Sequence, residues 1–181
     1  PSIAVTATAA RASSTTAALS VLGADDGGEA GLRYTWAVAA APAGAPPVQF
    51  SANGTNAAKA ATATFGRAGT YTLRVTAADA TGLTATSTVT YTVTQDRAGL
   101  RISGPTAVEN GQQVRYTAGG TDQFGQPLDV SWVRWANANP AAAIDPLTGV
   151  YTAPPAGAGQ DTVRIPTTAV TLALNYGDQT A

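Results

Sequence analysis

Four acidic side chains are the first candidates for chemistry. Asp25, Asp26 and Glu29 share one Gly-rich stretch, and Asp79 lies in a second. If both stretches are loops at the same end of a β-fold, their carboxylates and carbonyls would offer calcium its 6–8 oxygens. The plainer reading is Asp/Gly turn chemistry, and no EF-hand spacing is present. Trp132 is the second candidate. It has opposite parity to Trp135, so on a regular strand it faces outward and could stack on a sugar ring. Alternatively it packs under a loop or against a neighbouring module. Catalysis has little to work with: there is no His, no Cys and no Met, and Lys59 is the only Lys. No imidazole base, thiolate nucleophile, disulfide or transition-metal site is therefore expected. The eleven carboxylates lie mostly beside Gly, Pro or Asn, where turns form, rather than facing each other across a cleft. No catalytic residue is assigned.

Three smaller features have chemical readings. Asn53-Gly54-Thr55 is a formal glycosylation sequon, although Asn-Gly is also a favoured turn pair. Lys59, with an Asn nearby, is a thin hint of an intramolecular isopeptide bond. An alternating Thr face near residue 90 could order water as an ice-binding array or carry O-linked sugars; an exposed Thr-rich strand explains it without either.

Composition bounds the partners. The chain has 181 residues, 18.0 kDa and a net charge of -1, with ten basic residues dispersed along it. That leaves no footprint for nucleic acid or an anionic membrane. No apolar run approaches the ~20 residues of a membrane span, so no membrane insertion is expected. The lack of Cys is ambiguous about compartment. Arg in large excess over Lys, with abundant Ala, fits GC-rich coding. The chain opens at Pro1 without an initiator Met or a signal-like segment, and reads as a mature protein or a fragment of something longer.

The elements that must position these residues are strands. From Leu83 to Thr94, Leu83, Ala85, Ser87, Val89, Tyr91 and Val93 share one parity and six Thr the other, giving one apolar and one hydroxyl face. Further strands are expected near 3–9, 16–22, 32–38, 48–51, 60–65 and 70–77, seven in all, separated by Gly/Pro-rich breakers. Such a set matches an antiparallel sandwich. Gln95 to Gly99 is short, polar and charged, which suits a linker. Beyond it, strands are expected near 100–103, 113–117, 130–135, 150–152, 162–165 and 170–175, with Gly119-Gly120 among the breakers. The expected fold class is all-β: two tandem antiparallel immunoglobulin-like β-sandwiches, 1–95 and 96–181. Trp36 and Trp135 would fill the two cores.

Two stretches resemble known modules. Gly69-Thr70-Tyr71-Thr72-Leu73-Arg74-Val75, continued by Asp79 and Gly82 and the Thr-alternating strand, resembles the last two strands of PKD-type immunoglobulin-like modules. Tyr34-Thr35-Trp36 is similar to their central strand, and Tyr71 to a tyrosine-corner residue. The PKD aromatic-Asp-Phe-Gly-Asp-Gly signature is absent, so this part is PKD-like. In the second half, Asp122-Gln123-Phe124-Gly125-Gln126-Pro127-Leu128 and Ile144-Asp145-Pro146-Leu147-Thr148-Gly149-Val150-Tyr151 resemble bacterial Ig-like modules of the BIG type, over about residues 98–165. The resemblances imply tandem extracellular modules of bacterial adhesins, surface-layer proteins or secreted polysaccharide-degrading enzymes. They imply no particular ligand; no cofactor is expected, apart from the calcium considered above on the carboxylates alone.

The leading expectation is thus a non-enzymatic structural and adhesive module pair, a spacer and display at the bacterial surface, whose partners are neighbouring Ig-like modules, copies of itself or surface glycans. One alternative is a carbohydrate-binding accessory region of a secreted hydrolase. Another is a filament subunit that donates a terminal strand, 3–9 or 170–175, to a neighbour's sheet. In a head-to-tail pair, Arg67, Asp96, Arg97, Asp122 and Phe124 would meet at the junction, with Phe124 buried there or against loops of its own module.

Overall fold

The structure, a computed structural model, describes residues 1–177. It divides into two compact units, Pro1–Asp96 and the residues from Arg97 on. Asp178, among the acidic residues considered above, lies outside the described residues.

In the first unit, seven strands form two facing sheets. They are β1 (Ser2–Arg11), β2 (Thr16–Ala24), β3 (Arg33–Ala40), β4 (Gln49–Phe50), β5 (Ala60–Thr64), β6 (Gly69–Ala78) and β7 (Thr84–Val93). One sheet has the order β1-β2-β5-β4 and the other β3-β6-β7, with every pairing antiparallel. This is the strand distribution of a seven-stranded immunoglobulin-like sandwich. Strict alternation makes it: in β2, Ala17, Leu19 and Val21 are buried, and in β6 Tyr71, Leu73, Val75 and Ala77 are buried. On β7 the five Thr from Thr84 to Thr92 all face water. Leu83 departs from the expected register. It stands before the strand, 64% exposed, where its carbonyl accepts the Asp79 N–H and closes the hairpin turn.

Few large side chains fill the space between the sheets. Trp36 is 2% exposed, and its indole N–H donates to the Ala58 carbonyl at 2.8 Å. Phe65 packs on Tyr71 and Tyr91 at ring distances of 4.7 and 5.5 Å. Tyr71 donates its hydroxyl to the carbonyl of Arg67, four residues upstream, which is the tyrosine corner the sequence suggested.

The described residues of the second unit form nine shorter strands: β8 (Arg97–Ser103), β9 (Ala107–Val108), β10 (Gln113–Arg115), β11 (Thr117–Asp122), β12 (Ala136–Asn137), β13 (Ala143–Ile144), β14 (Val150–Thr152), β15 (Gly159–Arg164) and β16 (Thr171–Tyr176). They pair as β10-β14-β13, β11-β8 and β12-β15-β16-β9. Among the described residues, only the β16–β9 pairing is parallel. Tyr116, Val133, Trp135, Tyr151, Val163, Ile165 and Leu174 make its core. Gly149 is indispensable to this packing. With φ at +70°, its missing Cβ would fall 2.6 Å from the Tyr116 carbonyl and 2.9 Å from the Trp135 ring.

Three sequence expectations fail here for identifiable reasons. Residues 130–135 are not a strand. The Asp129 carboxylate accepts from the Ser131 N–H (2.8 Å) and hydroxyl (3.0 Å), and the Val133 N–H returns to the Val130 carbonyl, so a local turn outcompetes a ladder. Gly119-Gly120 does not break the chain but runs through β11. A Cβ on Gly120 would sit 3.2 Å from the Gly99 carbonyl, so glycine permits the close approach of β8. Arg97 to Gly99, expected in a linker, belong to β8 and pair with Asp122 to Thr121.

Trp36→Ala is expected to destabilise the first unit by about 3–5 kcal/mol, whereas Thr88→Ala on the exposed face of β7 changes stability by no more than ~0.5 kcal/mol. Urea denaturation of both variants, followed by circular dichroism, measures the difference. Equal small losses would contradict the packing described.

Candidate functional site

Glu29 stands apart from the other three acidic candidates. Asp25, Asp26 and Asp79 line one open depression together with Ser2, Ala24 and Leu83. Each is engaged by its own turn. Asp25 and Asp26 both accept from the Gly27 N–H, at 3.2 and 3.1 Å. Asp79 Oδ1 accepts from the Thr81 N–H and hydroxyl, both at 2.8 Å, and from the Leu83 N–H at 3.0 Å. The Thr81 hydroxyl, with the two N–H groups, holds the Asp79 carboxyl below the usual carboxylate range. Among the described residues, no cluster of three or more His, Cys, Asp or Glu is placed to hold a metal ion.

Glu29 has a different role. It opens a short 3-10 turn, Glu29–Gly31, and its carboxylate reaches a second one, Asn56–Lys59. Glu29 Oε2 accepts from Lys59 Nζ at 2.8 Å, while Oε1 accepts from the Tyr34 hydroxyl at 2.9 Å and from Asn56 Nδ2 at 3.0 Å. Lys59 also donates to Asn56 Oδ1 at 2.9 Å, and Asn56 Nδ2 to the Leu32 carbonyl at 3.0 Å. The Tyr34 hydroxyl in turn accepts the Gly23 N–H at 2.9 Å. One carboxylate thus ties together β2, β3 and both 3-10 turns. Its pKa is held low first by Lys59 and then by Tyr34, while burial pushes the Tyr34 hydroxyl up. The Lys59–Asn56 proximity noted from sequence is real, and Lys59 also pairs with Glu29.

Trp132 is half-buried against the second core rather than standing out from a strand. Its indole N–H donates to the Asp129 carbonyl at 2.9 Å, and the Arg97 guanidinium lies 4.4 Å from its ring centroid. One face of the ring is therefore occupied by a cation. Two of the other residues placed at a module junction bond within the first unit. Asp96 pairs with Arg11, and the Arg67 carbonyl takes the Tyr71 hydroxyl. Asp122 is 1% exposed and accepts the N–H groups of Phe124 and Gln126, both at 2.9 Å, so the turn folds around its carboxylate. Phe124 is half-buried.

Sequence reading missed Asp161. It is 4% exposed in β15, and its Oδ1 accepts from the N–H groups of Ala138 (3.0 Å) and Asn139 (2.8 Å). Burial, reinforced by the Asp161 charge, pushes Tyr116 up to about 12 and Tyr151 higher still. The Tyr151 hydroxyl is buried with no hydrogen bond of ordinary geometry. Nothing local in Gly159-Gln160-Asp161 distinguishes this Asp from a turn residue.

The Glu29 clasp sets a pH dependence. A carboxyl lowered from its ordinary 4.5 stabilises the fold above that pH and loses its contribution as pH falls through the folded value. The Tm of the first unit is therefore expected to fall between about pH 5 and pH 3. Glu29→Gln should lower the Tm near neutral pH and flatten that fall, as differential scanning calorimetry across pH would register. Asp79, also lowered, contributes in the same direction, so some slope persists in the variant.

Residues 2–92 match the PKD domain family. No curated protein matches the chain. Among solved structures, it is similar to mouse cadherin-23 EC22-24, with a TM-score of 0.56 and 16% identity over 97% of this chain and 60% of that one. It is also similar to the protocadherin gammaB7 EC3-6 cis-dimer, with a TM-score of 0.48 and 13% identity over 97% of this chain and 49% of that one. For the Escherichia coli adhesin FdeC the TM-score is 0.43, with 17% identity over 97% of this chain and 62% of that one. The chain spans less than two thirds of the length of each. The cadherin-23 likeness bears on fold alone and agrees with tandem immunoglobulin-like β-sandwiches. Through residues 2–92, just over half of its length, the chain belongs to the PKD domain family.

Proposed function

We propose that the chain is a non-catalytic spacer and display segment of a bacterial secreted or cell-surface protein. The second unit, with its Asp122–Leu128 and Ile144–Tyr151 turns, serves as a BIG-type partner to the PKD module. One observation carries the reading. The acidic side chains that could do chemistry instead accept hydrogen bonds from their own turns, as Asp79, Asp122 and Asp129 do, hold a distant loop, as Asp161 does, or close a structural clasp, as Glu29 does. A carboxylate engaged in this way stiffens a loop and is a poor acid or base for an external substrate. Adhesion would come from neighbouring modules or copies of the chain. No helix of the described residues is long and apolar enough to cross a membrane.

A strand-donating filament subunit is less favoured, because both candidate donor strands are already paired inside their own units: β1 with β2, and β16 with β15 and β9. A glycan-binding role would have to use the face of Trp132 away from Arg97.

Single-molecule stretching tests the spacer role. The chain is expected to give two unfolding peaks, each releasing about 30 nm, the reach of roughly 90 residues at ~3.5 Å each. A single featureless extension at low force would count against it. So would turnover of any polysaccharide or peptide substrate that disappears when one Asp is changed.

A further inference from the structure

The edge of β3 carries a device that neither the fold nor the proposed role requires. β3 is an outer strand of its sheet, so one row of its backbone groups faces away from β6. Such a row invites pairing with another chain. Here the segment Asn53-Gly54-Thr55 covers it. The Tyr34 N–H donates to the Thr55 carbonyl at 3.1 Å, and the Gly54 N–H donates to the Tyr34 carbonyl at 2.8 Å. Two residues further along β3, the Asn53 side chain takes over the part of a strand. Its Oδ1 accepts the Trp36 N–H at 2.7 Å, and its Nδ2 donates to the Trp36 carbonyl at 3.0 Å. A primary amide is the side-chain group able to copy both halves of a peptide bond in this way. Gly54 follows with φ at +70°, a conformation disfavoured for any residue bearing a Cβ.

Asn-Gly is also chemically labile. The Gly nitrogen, unhindered by a side chain, can attack the Asn Cγ. A new N–Cγ bond forms, the Cγ–Nδ2 bond breaks, and ammonia leaves with the former amide proton. Solvent water then opens the succinimide at either carbonyl, leaving aspartate or isoaspartate. In the folded chain both reacting groups are held: the Gly54 N–H is bonded to Tyr34, and the Asn53 amide is pinned at both ends by Trp36. We propose that Asn53-Gly54 is a deamidation site gated by folding, and that the Asn53 amide is the clamp closing the β3 edge. Conversion to aspartate is then one-way damage to that clamp. The carboxylate can still accept the Trp36 N–H, but its second oxygen faces the Trp36 carbonyl with no hydrogen to offer.

The test follows deamidation of the wild-type chain by peptide mass mapping, through a gain of about 1 Da and detection of isoaspartate. It is run at mildly alkaline pH, folded and in concentrated urea. In urea, Asn53-Gly54 and the other Asn-Gly pair, Asn110-Gly111, should convert at similar rates. In the folded chain Asn53 should convert about tenfold more slowly or less, since reaction requires local opening. Equal rates at Asn53 in the two conditions would overturn the gating. Separately, Asn53→Asp should lower the Tm and speed hydrogen exchange at the Trp36 amide relative to wild type. Exchange at Trp36 as slow as in wild type would overturn the clamp. The rate comparison uses only the wild-type chain, so it decides the gating even if Asn53→Asp does not fold.

Discussion

Burying an aromatic ring also buries its polar tip, and that constraint organises both units. A chain dominated by Ala, Thr and Gly has few side chains able to fill the gap of about 10 Å between packed sheets. Tyr34, Trp36, Tyr71, Tyr116, Tyr151 and Trp135 do so, and all are buried. An unpaired hydroxyl or indole N–H there would cost roughly 1–3 kcal/mol. Four of the partners are therefore specific pieces of backbone or loop: Glu29 for Tyr34, the Ala58 carbonyl for Trp36, the Arg67 carbonyl for Tyr71 and the Pro105 carbonyl for Tyr116. Each such bond fixes where a loop must pass. The loops of the first unit are consequently anchored by the core rather than hung from it.

The same logic accounts for the acidic residues. A short Asp side chain can satisfy two or three N–H groups that no strand pairs, and this is the role of Asp79, Asp122, Asp145 and Asp161. Backbone donors hold Asp129 and Asp145 below the usual carboxylate range, which keeps them ionised and good acceptors. Side chains that looked like candidate ligands or bases from composition are thereby the fasteners of turns. The exposed face of β7 is hydroxyl-rich.

The two halves differ in how far their structure could be read in advance. In the first unit the strands are up to ten residues long, and alternation over such lengths leaves only one register that buries the apolar face. In the second unit most strands have two to six residues, too few for period-2 patterning to outweigh local turn chemistry. Asp129 redirecting residues 130–135, and Gly119-Gly120 serving as a close-approach strand instead of a break, are the outcomes of that competition.

The chain's own order of residues therefore determined the all-β class, the seven strands of the first unit and the core position of Trp36, because these rest on local periodicity and side-chain size; Trp135 is buried as expected but outside any strand, and the Tyr71 corner follows from the resemblance to PKD-type modules. Tertiary structure alone decided that Glu29 leaves Asp25, Asp26 and Asp79 to join Lys59, thirty residues away, and that Arg97 covers Trp132. It also decided that Asn53 completes the edge of β3. Each of these depends on which loops the packed aromatic core brings within a hydrogen bond of one another, and such distances are set in space rather than along the chain.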